Sequence, residues 1–165
     1  MYFNDDEQRV SELFDTICEV FEDTKCEYSR NDRTLTATLP VRGGIVPLNI
    51  LFKVDTDNQL IQFLSPFLFS VPPGRRIEMA VLLTIINKQL LSGAFVLDFE
   101  KGSLLFRTAI SYQNCIYDKS FLQNMFITDS TAVMDHIDDI YLLCFGKLSL
   151  SEYLKNHDSS SVVIP

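Results

Sequence analysis

The 165-residue sequence contains no tryptophan and only two histidines, His136 and His157. Because histidine is the commonest metal ligand and a frequent general base, this scarcity argues against a histidine-based catalytic or metal centre. The sequence also lacks a run of about 18 apolar residues, and residues 1–7 lack the basic start of a signal peptide. We therefore expect a cytoplasmic protein that does not interact with a membrane.

Basic residues are also scarce. The chain has 14 lysines and arginines against 22 acidic residues, which gives a formal net charge of −8. A field of this sign repels polyphosphates and anionic lipid surfaces, so nucleic acid is not an expected partner. The four cysteines contain no pair at the close spacing of metal or redox motifs, and a reducing compartment is the simplest setting for them.

The spacing of the apolar residues changes along the chain. Between Val10 and Phe21 they recur every three or four residues, as on one face of a helix. Later stretches alternate with a period of two and are separated by turn residues, which is typical of antiparallel strands. We expect strands at 27–30, 34–41, 45–55, 60–69, 94–98 and 104–111. A final helical pattern runs from Phe121 to Gly146, and its polar segment 128–131 predicts a bend or a division.

This order of elements predicts an α+β fold, with a single antiparallel sheet and helices at the N-terminus, in the middle and at the C-terminus. One domain of this length buries a sufficient core without disulfides or metals. We expect the domain to span residues 1–148. Residues 149–165 form a short C-terminal extension, which starts with a capping box of Ser149 and Glu152.

The middle helix, expected at 73–91, carries apolar residues on two opposite sides. One packed domain usually covers one such stripe, so the other predicts contact with a second copy. We assign the dimer interface to the larger stripe: Met79, Leu82, Leu83, Ile86 and Leu90. The alternative is that this stripe packs inward and that the opposite stripe forms the interface: Ile77, Ala80, Val81 and Leu91.

Apolar residues also occur on the face of the sheet that is expected to point away from the helices. Leu51, Leu60 and Leu64 are the candidate contacts for a protein client, whose identity the sequence does not reveal. Such a client segment lies against this face or adds to a sheet edge. The net charge of −8 favours a basic client.

Three polar clusters contain residue types found in binding sites, but their patterns favour a turn, ion pairs and a solvated surface. Asp55–Asn58 resembles the start of a calcium loop, but Leu60 and Pro66 stand where the loop requires glycine and a carboxylate. Arg75 and Arg76 at a helix start suggest an anion site, although pairing with Glu78 or with a partner's acidic surface explains them better. The third cluster, Asp135, His136, Asp138 and Asp139, is more typical of a solvated helix face than of a metal site. We predict no metal, no cofactor and no catalytic residue.

Several segments are similar to the YbjN family, whose members share the fold of type III secretion chaperones. The apolar strand 51–55 with its acidic end, the proline-led helix start 71–76 and the helix end 85–88 resemble the corresponding family segments. The strongest resemblance is the hairpin formed by 90–98, Glu100, Gly102, Leu104 and Arg107. In all, the resemblance covers about Val10 to Phe145.

This resemblance implies a small α+β domain that dimerises through its middle helix and has no defined chemistry. It implies a non-enzymatic protein-binding module of the YbjN type with a regulatory or sensory-transduction role. One alternative is a type III secretion chaperone that binds a segment of a single effector. A second alternative is a metal-dependent enzyme that uses Asp135, His136 and Asp139.

Overall fold

The computed structural model describes residues 3–42 and 44–157, which form four helices and one antiparallel sheet of six strands. This confirms the predicted fold class. No helix in these ranges is long and apolar enough to cross a membrane. The elements are α1 (Phe3–Asp23), β1 (Ser29–Asn31), β2 (Thr36–Arg42), β3 (Pro47–Asp55), β4 (Leu60–Ser70), a 3₁₀ turn (Pro73–Arg75), α2 (Arg76–Asn87), β5 (Ala94–Leu97), β6 (Ser103–Ser111), α3 (Lys119–Cys144) and α4 (Leu150–His157).

The strands lie side by side in the order β1-β2-β3-β4-β6-β5, and each neighbouring pair is antiparallel. Their side chains alternate between a fully buried face and a half-buried or exposed face, as the pleat requires. We call these the inner face and the outer face. Phenylalanines are prominent on the inner face, where Phe52, Phe63 and Phe106 meet edge to face at centroid distances of 5.5 and 6.0 Å.

Helix α1 covers part of this inner face with the stripe that its spacing predicts. Phe14, Ile17, Cys18 and Phe21 are buried, while the acidic residues between them are exposed. Arg30 of β1 lies over the Phe14 ring and pairs with Asp15 at 2.7 Å. These contacts hold the short first strand against the helix.

Helix α2 buries the stripe that the sequence analysis assigned to a dimer interface, and that assignment is wrong. Met79, Leu82, Leu83 and Ile86 are at most 3% exposed because they fill the core of their own subunit, and Leu90 is half-buried against the same core. The opposite stripe faces outward instead, with Ile77 72%, Val81 42% and Leu91 100% exposed. The alternative orientation is therefore the one in the structure.

Helix α3 runs without interruption through the polar segment 128–131, so the predicted division into two helices is wrong. Asp118 caps the helix by accepting a hydrogen bond from the Phe121 N–H at 2.8 Å. Asp129, in the middle of the polar segment, is fully buried against the sheet.

Helix α4 belongs to the packed structure. The predicted capping box is present: Glu152 accepts from the Ser149 N–H at 2.8 Å, and the Glu152 N–H donates to Ser149 Oγ at 3.2 Å. Tyr153 is 1% exposed within the core. The described part of the predicted extension thus packs on the domain, and residues 158–165 lie outside the described residues.

Candidate protein-binding surfaces

The outer face of the sheet has no helix packed over it within residues 3–42 and 44–157. Leu51 and Leu64, two of the predicted client contacts, are direct cross-strand neighbours on β3 and β4. Leu60, the third, lies further along β4 opposite Asp55. All three are half-buried, screened only by the side chains beside them. The structure therefore brings the predicted residues onto one uncovered face.

The apolar part of this face extends beyond the predicted leucines. Leu105 of β6 lies between Pro66 of β4 and Val96 of β5 in one cross-strand row. Val96 is 39% exposed, and Leu68 at the end of β4 is 62% exposed. Sequence reasoning missed Leu105 and Val96 because the pairing of β5, β6 and β4 is needed to place them beside Leu64.

The edge of the sheet at β5 is closed by a side chain of α2. The Phe95 N–H donates to Asn87 Oδ1 at 2.8 Å, and Asn87 Nδ2 donates to the Phe95 carbonyl at 3.0 Å. The backbone groups of Val96 bond to β6, so those of its neighbour Phe95 point away from the sheet. The amide of Asn87 thus occupies the two groups of Phe95 that an added strand would bind.

The opposite edge is interrupted by a proline. The Val54 N–H donates to the Leu35 carbonyl at 3.0 Å, which sets the alternation of backbone hydrogen bonds between β2 and β3. The backbone groups of Leu35 and of every second residue after it therefore point toward β3. Those of the residues in between, including Pro40, point away from β3. Strand β1 covers β2 only at Thr36–Thr38, which leaves Pro40 at the edge without an N–H to donate. Strand addition, one of the two binding modes expected from the sequence, is therefore disfavoured at Phe95 on one edge and at Pro40 on the other.

The exposed stripe of α2 is a second apolar surface. The first residues of this helix are held in place by hydrogen bonds and an ion pair. Arg76 donates to the carbonyls of Val71, Phe99 and Glu100, which ties α2 to the β5–β6 turn. Arg75 pairs with Glu78 at 2.9 Å. Arg75 thus forms the predicted ion pair, whereas Arg76 binds backbone carbonyls, and neither guanidinium group is left as a free anion site.

The side chains of the predicted cluster on α3, residues 135–139, make contacts with different parts of the structure. The His136 ring packs edge-on against Phe95 at a centroid distance of 6.0 Å, and burial lowers the pKa of this imidazole. Asp138 accepts from the Ile45 N–H at 3.0 Å, while Asp139 lies 3.7 Å from His157 Nε2. Across the described ranges, no group of three or more histidine, cysteine, aspartate or glutamate residues is arranged to hold a metal. The metal-dependent alternative therefore has no ligand set in this part of the chain.

The Asp55–Asn58 segment is a hydrogen-bonded turn, as its sequence favours. Asp55 accepts from the Asn58 N–H at 3.2 Å and from the Asn58 side chain at 3.0 Å. These hydrogen bonds lower the pKa of the Asp55 carboxyl. Its oxygens are directed at the turn and at Gln62 and not at a calcium site.

A cleft of about 630 Å³, which the sequence analysis did not predict, lies where the start of α1 meets the turns at one end of the sheet. Arg9 lines this cleft and donates to the carbonyls of Tyr112 and Cys115. The lining brings together Glu7 and Asp32 with Arg9 and Arg33. Because both signs of charge are present, the electrostatics favour no ligand of one sign.

Comparisons with known proteins support the fold. No family model matches the sequence, and the comparison with curated proteins gives no match. The chain is similar in structure to YbjN from E. coli, a protein proposed to be a transcription regulator, with a TM-score of 0.54 and 15% sequence identity. The alignment covers 76% of this chain and 92% of that chain. This likeness confirms the predicted YbjN-like fold and, at such low identity, shows the fold alone.

Proposed function

We propose that this chain is a non-enzymatic protein-binding module with a YbjN-type fold and a regulatory role, and that it binds its client on the outer face of the sheet. The observation that carries the proposal is the uncovered leucine pair, Leu51 and Leu64, at the centre of that face. Contiguous apolar surface of this kind in a folded protein is typical of interaction sites.

The energetics favour side-chain contact over strand addition. Full burial of an exposed leucine contributes about 1.5–3 kcal/mol, so a leucine that is already half-buried gains only part of this when a partner covers it. Three such leucines together still supply useful affinity. The strand edges offer a client fewer free backbone groups. Asn87 occupies those of Phe95 at one edge, and Pro40 has no N–H to donate at the other. A client therefore docks across the strands, with its apolar side chains against Leu51, Leu64 and Leu105.

The module also pairs with a second copy through the exposed stripe of α2. Ile77 and Val81 lie one helical turn apart on the same side, next to the half-buried Ala80. A twofold contact of two such helices would cover both stripes at once. This surface is separate from the outer face of the sheet, so one dimer can present two client sites.

The experiment is quantitative affinity capture from the native cell with three forms of the tagged protein. Wild type is compared with a double variant, Leu51→Ser with Leu64→Ser, and with Leu154→Ser, which makes the same chemical change at an exposed leucine of α4. The proposal predicts at least one protein that wild type and Leu154→Ser enrich equally and that the double variant loses.

Folding of each variant is checked by thermal melting before capture. If all three forms enrich the same proteins to the same extent, or if none enriches any protein over the tag alone, the proposed function is wrong.

A further inference from the structure

We propose that the client segment is acidic and amphipathic, with carboxylates flanking the apolar side chains that dock on the outer face. This inference rests on the proposed function and concerns the chemistry of the partner. It reverses the expectation drawn from the net charge of −8, which favoured a basic client. The reason is that the charge on the outer face differs in sign from the charge of the whole chain.

The outer face is locally cationic. Among the described residues, the alternation of the strands places four charged side chains on this face, three of them basic: Arg42, Lys53, Arg107 and the acidic Asp55. The chain as a whole has 22 acidic and 14 basic residues, so the opposite balance would be expected by composition.

The one carboxylate on this face is directed toward its own turn. Asp55 lies at the end of β3 and accepts hydrogen bonds from Asn58 and from Gln62 Nε2, the latter at 3.2 Å. Lys53 is close enough to Asp55 to lower the pKa of that carboxyl. Even so, Arg42, Lys53 and Arg107 make no hydrogen bond or ion pair in residues 3–42 and 44–157. Asp55 keeps its negative charge, so three positive charges against one negative charge leave the face with a net charge of +2. Lys53 also lies nearer to Leu51 than Asp55 does.

The cations flank the leucine pair on both sides. Arg107 of β6 lies directly across from Leu64 in the same cross-strand row as Leu51. Lys53 lies two residues beyond Leu51 on the same face of β3, directly across from Gln62. A segment that covers Leu51 and Leu64 thus places its neighbouring side chains within reach of Arg107 on β6 and of Lys53 on β3.

Two other occupants fit this pattern less well. A second copy docked face to face would bring cationic surfaces together, and the like charges would oppose the contact. A polyanion without apolar side chains would leave Leu51, Leu64 and Leu105 uncovered, and it would be repelled by the remaining surface of an acidic chain. A segment that combines leucine-like and carboxylate side chains satisfies both features of the face.

The test uses two labelled synthetic peptides of equal length in fluorescence anisotropy titrations. Both carry leucines at the spacing of one helix face, and the remaining positions hold glutamate in one peptide and lysine in the other. Two or three exposed ion pairs of ordinary strength correspond to about a tenfold change in affinity. We expect the glutamate peptide to bind wild type about ten times more tightly than the lysine peptide, with the difference shrinking in high salt.

A matched pair of variants separates local charge from net charge. Lys53→Glu with Arg107→Glu should reverse the preference, whereas Lys25→Glu with Lys147→Glu changes the net charge equally at exposed positions elsewhere and should leave it unchanged. Equal binding of both peptides, tighter binding of the lysine peptide, or no binding of the glutamate peptide would overturn the inference. Equal binding that Leu51→Ser with Leu64→Ser abolishes would still uphold the proposed function, which the capture experiment decides independently.

Discussion

The side chain of Asn87 makes both backbone hydrogen bonds of Phe95. Asn87 Oδ1 accepts from the Phe95 N–H at 2.8 Å, and Asn87 Nδ2 donates to the Phe95 carbonyl at 3.0 Å. An amide side chain thus takes the place of a neighbouring strand at the edge of the sheet. Helix α2 ends at Asn87 and not at the expected Leu91, and the chain continues as a turn in which the Gln89 N–H donates to the Ile86 carbonyl at 2.9 Å.

Replacing this amide should loosen the edge strand. Asn87→Ala removes two hydrogen bonds and leaves partly buried backbone groups without partners, so we expect the free energy of unfolding to fall by about 1–3 kcal/mol. Urea denaturation measures the loss, and hydrogen exchange should show faster exchange of the Phe95 amide. Gln89→Ala, at an exposed position just beyond α2, is the control and should change neither. Unchanged exchange at Phe95 in Asn87→Ala would refute the edge-closing role.

A carboxylate should have different effects on the buried stripe and on the exposed stripe of α2. Leu82→Glu places a carboxylate in a fully buried site and should cost on the order of 4–5 kcal/mol, enough to unfold many domains of this size. Val81→Glu, one residue away on the exposed side, should leave the melting temperature nearly unchanged and convert the proposed dimer to a monomer. Light scattering coupled to size-exclusion chromatography gives the mass. A wild-type monomer, or a Val81→Glu dimer of wild-type strength, would contradict the pairing surface.

Asp129 should make stability fall as pH rises. Burial raises the pKa of its carboxyl above the ordinary value, and the nearby Thr108 and Ser92 hydroxyls offset only part of this effect. The native state therefore binds more protons than the unfolded state between the unfolded pKa, about 3.9, and the raised folded pKa. In that window the free energy of unfolding decreases with increasing pH, and above it the loss is complete.

The variant Asp129→Asn should remove this dependence. We expect it to be more stable than wild type at neutral pH by about 1–3 kcal/mol, and to lose the advantage as the pH falls below the window. Urea denaturation at several pH values measures the profile. Asp135→Asn makes the same change at an exposed position of α3 and should reproduce the wild-type profile. A profile for Asp129→Asn that parallels wild type would show that Asp129 does not cause the dependence.

Gly93 should tolerate no side chain. Its φ of +67° lies in the left-handed region, and a Cβ at this position would overlap the Thr108 hydroxyl and the Phe106 ring. Gly93→Ala should therefore lower the free energy of unfolding by about 2–4 kcal/mol. Gly74→Ala, where a Cβ has open space, is the matched control and should have little effect. Equal melting temperatures for the two variants would contradict the close packing around Gly93.

The sequence predicted the elements of the fold better than their orientation. The alternation around Ala37 and Leu39 and the spacing from Phe14 to Phe21 each have one apolar side, so burial of that side follows directly. Helix α2 has two apolar sides, and local spacing gives no means of choosing between Leu82 and Val81. That choice depends on how α2 meets β5 and α3, which the sequence pattern does not contain.

The polar segment of α3 misled the sequence analysis for a similar reason. Asp129 indicates solvent or a helix break when considered alone, whereas in the structure it faces Thr108 and Ser92 from within a continuous helix. The positive charge of the outer face could not be predicted from the sequence either. Lys53 and Arg107 are far apart in sequence, and only the register of β3, β4 and β6 places them on either side of Leu64.

Site-specific photo-crosslinking in the native cell tests the central claim most directly, because it reports what touches the outer face. A photoreactive phenylalanine replaces Leu64 in one variant and Leu154 of α4 in another. We predict that position 64 crosslinks to a protein other than this chain, that position 154 does not, and that Leu51→Ser reduces the yield. If position 64 gives no crosslinked protein beyond the yield at position 154, the outer face of the sheet is not a protein-binding surface.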